Sequence, residues 1–126
     1  MDLANVHFEL NADLLDDIIA SLQRVAGRRE RRQSARQFFP LRQKVAPFYR
    51  KMPKAEQFVA VSCHDLSTSG IAFFWPGLPD FSKVIVALGK EPSLTYLGAR
   101  VVRHEECGPG DRVLIGCEFV DRIGVY

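Results

Sequence analysis

Six arginines fall between positions 24 and 36, five of them within Arg28-Arg29-Glu30-Arg31-Arg32-Gln33-Ser34-Ala35-Arg36. Arginine rather than lysine narrows the chemistry. A planar guanidinium grips a phosphate, or the O6/N7 edge of guanine, with two parallel hydrogen bonds. It also stacks on purine faces, which an ammonium does poorly. The run therefore suits a ligand with both phosphates and flat bases, against the plain reading of a solvated arm. A second polar feature is Asp65-Leu66-Ser67-Thr68-Ser69-Gly70, a D-x-S-x-x-G turn. Asp and Ser stabilise turns by bonding their own backbone, and Gly permits positive φ. The same groups also fit a ligand. A carboxylate accepts from the N1–H and N2–H₂ of guanine, a hydroxyl reaches a phosphate or base edge, and a residue without Cβ admits a ligand close to the backbone.

Other chemistry has weaker support. Cys63, Cys107 and Cys117 are odd in number and widely spaced, which argues against a disulfide framework. The segment His104-Glu105-Glu106-Cys107, even with Cys63-His64, lacks the CxxC or HxxxH spacing of a zinc site. Cys63, His64 and Asp65 are neighbours, but successive strand residues point to opposite faces and cannot line up as nucleophile, base and orienter. No Walker loop or paired-carboxylate motif is present. The expectation is a chain that is not an enzyme and holds no metal or cofactor.

The net charge of +2 hides a strong asymmetry. Residues 1–23 carry Asp2, Glu9, Asp13, Asp16 and Asp17 and no lysine or arginine, whereas residues 24–54 carry eight arginines and three lysines. Such a local field draws anions whatever the overall charge. The apolar stretches Ile71–Trp75 and Val84–Leu88 are far too short to span a bilayer. The acidic N-terminus lacks the basic-then-apolar order of a secretory leader. A cytoplasmic location is the default expectation.

These residues need elements to position them. Asn11 is a plausible N-cap, and Leu14, Leu15, Ile18, Ile19, Leu22 and Val25 form one apolar stripe at helical spacing. With Gly27 as the left-handed C′ residue, the pattern predicts an amphipathic helix over about 12–26. Its stripe must bury against the rest of the domain or against a second copy, as a homodimer. Beyond the arginine arm the chain reads as strands: Phe38–Tyr49 with Pro40 and Pro47 at edge or bulged positions, Phe58–Cys63, Ile71–Phe74, Val84–Leu88, Leu94–His104 and Arg112–Val120. Six short strands with regular turns suggest a small antiparallel barrel or sandwich in one domain.

An R-x-x-x-R pair just before the first strand, then D-x-S-x-x-G between the next two, resembles the PilZ-domain family. The pair is Arg32-Gln33-Ser34-Ala35-Arg36, followed by Phe38-Phe39-Pro40-Leu41; Arg28 and Arg32 satisfy the same spacing as a rival register. The likeness continues through Leu97-Gly98-Ala99-Arg100-Val101-Val102 and Ile115-Gly116-Cys117-Glu118-Phe119-Val120 and covers roughly residues 28–122. It implies a mainly β fold, a six-stranded antiparallel barrel, here over 28–126; the acidic segment and helix at 1–27, read from charge and spacing, precede it. It implies binding of cyclic di-GMP, often as an intercalated pair of molecules. By position, Arg32 and Arg36 would contact guanine and phosphate, Asp65 would hold a guanine edge, Ser67 would bond the ligand and Gly70 would keep the turn open. Arg31 is a neighbour in the same arm, and Arg100 and Arg103 are secondary candidates whose plain reading is solvent-facing strand arginines. The arm is expected to become ordered by its anion.

Two features depart from that family. Many PilZ domains carry a helix after the barrel, whereas these residues end at Arg122-Ile123-Gly124-Val125-Tyr126 and place an amphipathic helix in front. These 126 residues hold no effector domain of their own, and if they are the whole chain the output is expected through contact with an effector protein. The competing readings are a PilZ-like interaction module that does not bind the nucleotide, and a basic barrel for RNA or single-stranded DNA. The latter needs exposed aromatics for stacking. Phe73, Phe74 and Trp75 read instead as core, and the acidic helix argues against a long polyanion track.

Overall fold

The computed structural model describes residues 8–23, 37–107 and 112–123. The arginine arm, with Arg28, Arg31, Arg32 and Arg36, lies outside the described residues, as do the last turn expected of the helix and the tip of the Cys107–Asp111 hairpin.

The first element is the helix α1, Ala12–Gln23. Asn11 Oδ1 accepts from the amides of Asp13 (2.8 Å) and Leu14 (3.1 Å), satisfying two of the amides that a helix start leaves without partners. Leu15, Ile18 and Ile19 are buried, and they share one core with the strands. The helix packs chiefly on the strand β5 introduced below. Of the two burial partners open to the stripe, these residues therefore use their own barrel.

Strands follow as β1 (Gln37–Phe38), β2 (Arg42–Phe48), β3 (Val59–Leu66), β4 (Gly70–Trp75), β5 (Lys83–Lys90), β6 (Ser93–Glu106) and β7 (Val113–Ile123). All pairings are antiparallel. β2, β5, β6, β7, β4 and β3 pair in that order, and the β3–β2 pairing closes the ring into a six-stranded barrel. Closure removes the exposed edges that an open sheet of this size would carry. The inward residues Phe39, Val45, Leu66, Ile71, Phe73 and Phe119 are at most 1 % exposed and fill the interior.

The expected strand Phe38–Tyr49 is split by Pro40. The Leu41 amide bonds back to the Phe39 carbonyl (2.9 Å), making a tight turn that separates β1 from β2. Both pieces still run along the same side of β3, since the Phe39 amide donates to His64 O and the Cys63 amide to Leu41 O. Pro47 is tolerated because β2 pairs with β3 only as far as Val45↔Val59, so its missing N–H interrupts no ladder there. Gly89 sits in β5 at φ +118°, and the buried side chain of Gln43 accepts its amide proton at 2.7 Å.

Candidate functional site

The D-x-S-x-x-G segment joins β3 to β4. Asp65 and Leu66 end β3, and Gly70 begins β4. Ser67 and Thr68 are buried, at 1 % and 3 % exposure, although the sequence reads this stretch as a polar surface turn. The Ser67 amide donates to Gly70 O (2.9 Å), while the Ser67 hydroxyl accepts from the Ser69 amide (3.2 Å) and lies 3.1 Å from the Ser69 hydroxyl. Ser67 thus builds the turn through its own side chain. Gly70 is the first strand residue and pairs with Glu118; the positive-φ glycines among the described residues are Gly77 and Gly89. Conformational freedom is therefore not what the turn takes from Gly70.

Three outside segments anchor this turn. The Leu10 amide, just before α1, donates to Thr68 O at 2.8 Å, and the Phe119 amide of β7 donates to Ser69 O at 2.8 Å. The third anchor is β1, in the register Gln37↔Leu66 and Phe38↔Asp65. The residue that follows Arg36 is thus the cross-strand partner of the residue that follows Asp65.

At Asp65 the strand departs from regular alternation. The β3–β4 register shifts between Cys63 and Asp65, a bulge that lets the side chains of His64 and Asp65 meet. His64 Nδ1 lies 2.8 Å from Asp65 Oδ2, with the imidazole 44 % and the carboxylate 14 % exposed. Cys63 turns the other way, into the core, and burial pushes its thiol up to about 12. The expected alternation holds for Cys63 and fails for the His64–Asp65 pair.

The bulge also sets His64 in a row of rings that sequence reasoning did not identify. Its imidazole meets Phe38 edge to face (centroids 5.7 Å, 82°) and Phe74 likewise (5.9 Å, 79°). The guanidinium of Arg112 lies over the Phe74 ring, 4.0 Å from its centroid. One residue each from β1, β3, β4 and the lead-in to β7 makes this row. Phe38, at its end, is 68 % exposed. The signal for it was present: adjacent strand residues face opposite ways, so with Phe39 inside, Phe38 must face out.

The secondary candidates are placed as ordinary strand residues with defined neighbours. Arg100 donates from Nε (3.1 Å) and Nη2 (2.8 Å) to Glu118 Oε1, an exposed pair. The side chain of Arg103 lies across Gly116, where an added Cβ would meet its Cγ and Cζ at 3.0 Å. Among the described residues no cluster of His, Cys, Asp and Glu could hold a metal ion, and no helix is long and apolar enough to cross a membrane. Comparison with protein-family models, with curated proteins and with solved structures finds no match.

Proposed function

We propose that this chain is a cytoplasmic receptor or adaptor for cyclic di-GMP, which changes conformation on binding the nucleotide and signals through contact with an effector protein. The observation that carries this reading is the pairing of β1 with β3. Arg36 is bonded to Gln37, one Cα step of about 3.8 Å away, and Gln37 is the register partner of Leu66. The guanidinium-rich run thus feeds directly into the sheet beside the carboxylate of the D-x-S-x-x-G turn. A dianion with two guanines meets complementary groups in that combination: Arg31, Arg32 and Arg36 for phosphates and base faces, and Asp65 for a guanine edge. Ser67 contributes by holding the turn, and Gly70 by opening β4 without a side chain. The closed barrel supports the same reading, since it is the fold that the resemblance to PilZ domains implies.

Isothermal titration of the wild type, Arg32→Ala, Arg36→Ala and Asp65→Ala with cyclic di-GMP tests it. Each variant loses a charged contact of about 1–3 kcal/mol, or roughly ten- to hundredfold in affinity. Wild type that gives no heat at high micromolar ligand would instead favour a barrel serving only protein contacts. Three variants that bind like wild type would show that the nucleotide sits elsewhere.

A further inference from the structure

We infer that Phe38 is a stacking platform for one guanine of the bound nucleotide, working with Asp65 as a face-and-edge pair that discriminates guanine from adenine. The inference deepens the reading above and rests on it. Phe38 and Asp65 are cross-strand partners. Side chains of directly opposed residues emerge on the same face of a sheet, with Cβ atoms about 4.5–5.5 Å apart. A large exposed ring and a hydrogen-bond acceptor therefore flank one spot on the outside of the barrel. A phenyl ring 68 % exposed on a strand end offers a π-face to any base.

One edge of the platform is supported by its neighbours. Phe38 packs its ring against His64, and His64 is held in turn by Asp65 and by Phe74. Arg112 closes the far end over Phe74. An aromatic ring has only two rotatable side-chain bonds, so it gives up little conformational entropy when a base stacks on it.

The edge supplies the selectivity that stacking lacks. Guanine presents N1–H and N2–H₂ as adjacent donors on its pairing edge, and a carboxylate accepts both. Adenine presents the N1 lone pair in the same place, which a carboxylate repels. A carboxylate offers about four acceptor sites, so the bond to His64 is compatible with a bond to guanine. Stacking alone would take either base; stacking beside Asp65 takes guanine.

The test titrates wild type, Phe38→Ala, Phe38→Leu and Phe38→Trp with cyclic di-GMP and with cyclic di-AMP, and follows the fluorescence of Phe38→Trp. Replacing the ring by Ala or Leu should weaken cyclic di-GMP roughly tenfold, as expected for the loss of one base–aromatic stack, whereas Trp should bind as well as wild type. The added tryptophan should be quenched by cyclic di-GMP, with wild type reporting the signal of Trp75. Circular dichroism establishes that each variant is folded, since an exposed ring carries little of the core. Wild type should prefer cyclic di-GMP to cyclic di-AMP. If wild type binds cyclic di-GMP but Phe38→Ala and Phe38→Leu bind equally well and Phe38→Trp is not quenched, the platform is refuted and the receptor reading stands. If wild type binds neither nucleotide, both fall. If cyclic di-AMP binds as tightly as cyclic di-GMP, the face-and-edge pairing is wrong.

Discussion

Cys63 lies on the inner face of β3, one residue before the bulge that brings His64 and Asp65 together. Its thiol is pushed from an ordinary 9.0 up to about 12 by burial, partly offset by a backbone hydrogen bond at Gln43 and by the charge of Arg42. The thiolate is the reactive form, so a buried thiol of this kind is inert at neutral pH. Cys117 is wholly buried as well, whereas Cys107 is half-buried beside the β6–β7 hairpin. With iodoacetamide at pH 8 on the folded protein, mass spectrometry should find Cys107 modified and Cys63 and Cys117 intact. Denaturant should then make all three react. The sign of the stability effect follows from the direction of the shift. A thiol whose folded value is raised contributes stability that is complete below pH 9 and is lost as pH rises toward 12. Chemical denaturation midpoints should accordingly fall across that alkaline window. Labelling of Cys63 at pH 8 in the native state would show that β3 opens locally beside the proposed site.

At the scale of elements, α1 shows what an amphipathic pattern conveys. The spacing of Leu15, Ile18 and Ile19 gives a helix and a buried face, and Asn11 gives its start, because capping and periodicity are local properties. Which surface receives the face depends on long-range packing, and here it is β5 of the same chain. The same division runs through the strands. The six apolar runs in the sequence correspond to β2–β7, with Pro40 cutting β1 from β2. Ring closure, by contrast, rests on pairings such as Gly70↔Glu118 and Val45↔Val59, which no local pattern encodes. At the candidate site the motif residues were legible by type. The bulge at His64 was not, because it depends on the register of β3 against β4. Burial of Ser67 and Thr68 was hidden as well, because it comes from the Leu10 and Phe119 amides closing on the turn. The helix carries its own test. Leu15 has no exposure, so Leu15→Ala should destabilise the fold by about 2–5 kcal/mol, read as a lower urea midpoint at unchanged slope. An unchanged midpoint would mean that α1 adds nothing to the barrel's stability and docks on it weakly.

Across the whole molecule, the β3–β4 turn is a junction. It takes backbone hydrogen bonds from the segment before α1 and from β7, and its stem pairs with β1, which continues from the arginine arm. A ligand gripped between arm and turn would therefore act on three parts of the chain at once, and the segment leading into α1 meets the turn through the bond from the Leu10 amide to Thr68 O. Energy can pass to a distant element only where binding favours one arrangement of it over another. Leu10 is one point where that difference would enter the helix. If cyclic di-GMP tightens the turn, hydrogen exchange should slow at residues 28–36 and at the amides of Leu10 and Phe119. Those of Val84 and Val86 in β5, whose ladders involve neither turn nor arm, should keep their rates. Equal exchange at 28–36 with and without ligand would count against a grip by the arm. Slowing confined to the arm, with Leu10 unchanged, would locate the response in the arm alone and exclude the helix as the surface that an effector protein reads. A change at Leu10 would instead direct the search for that effector to α1 and its exposed acidic residues Asp13 and Asp17, which contrast with the eight arginines and three lysines of residues 24–54.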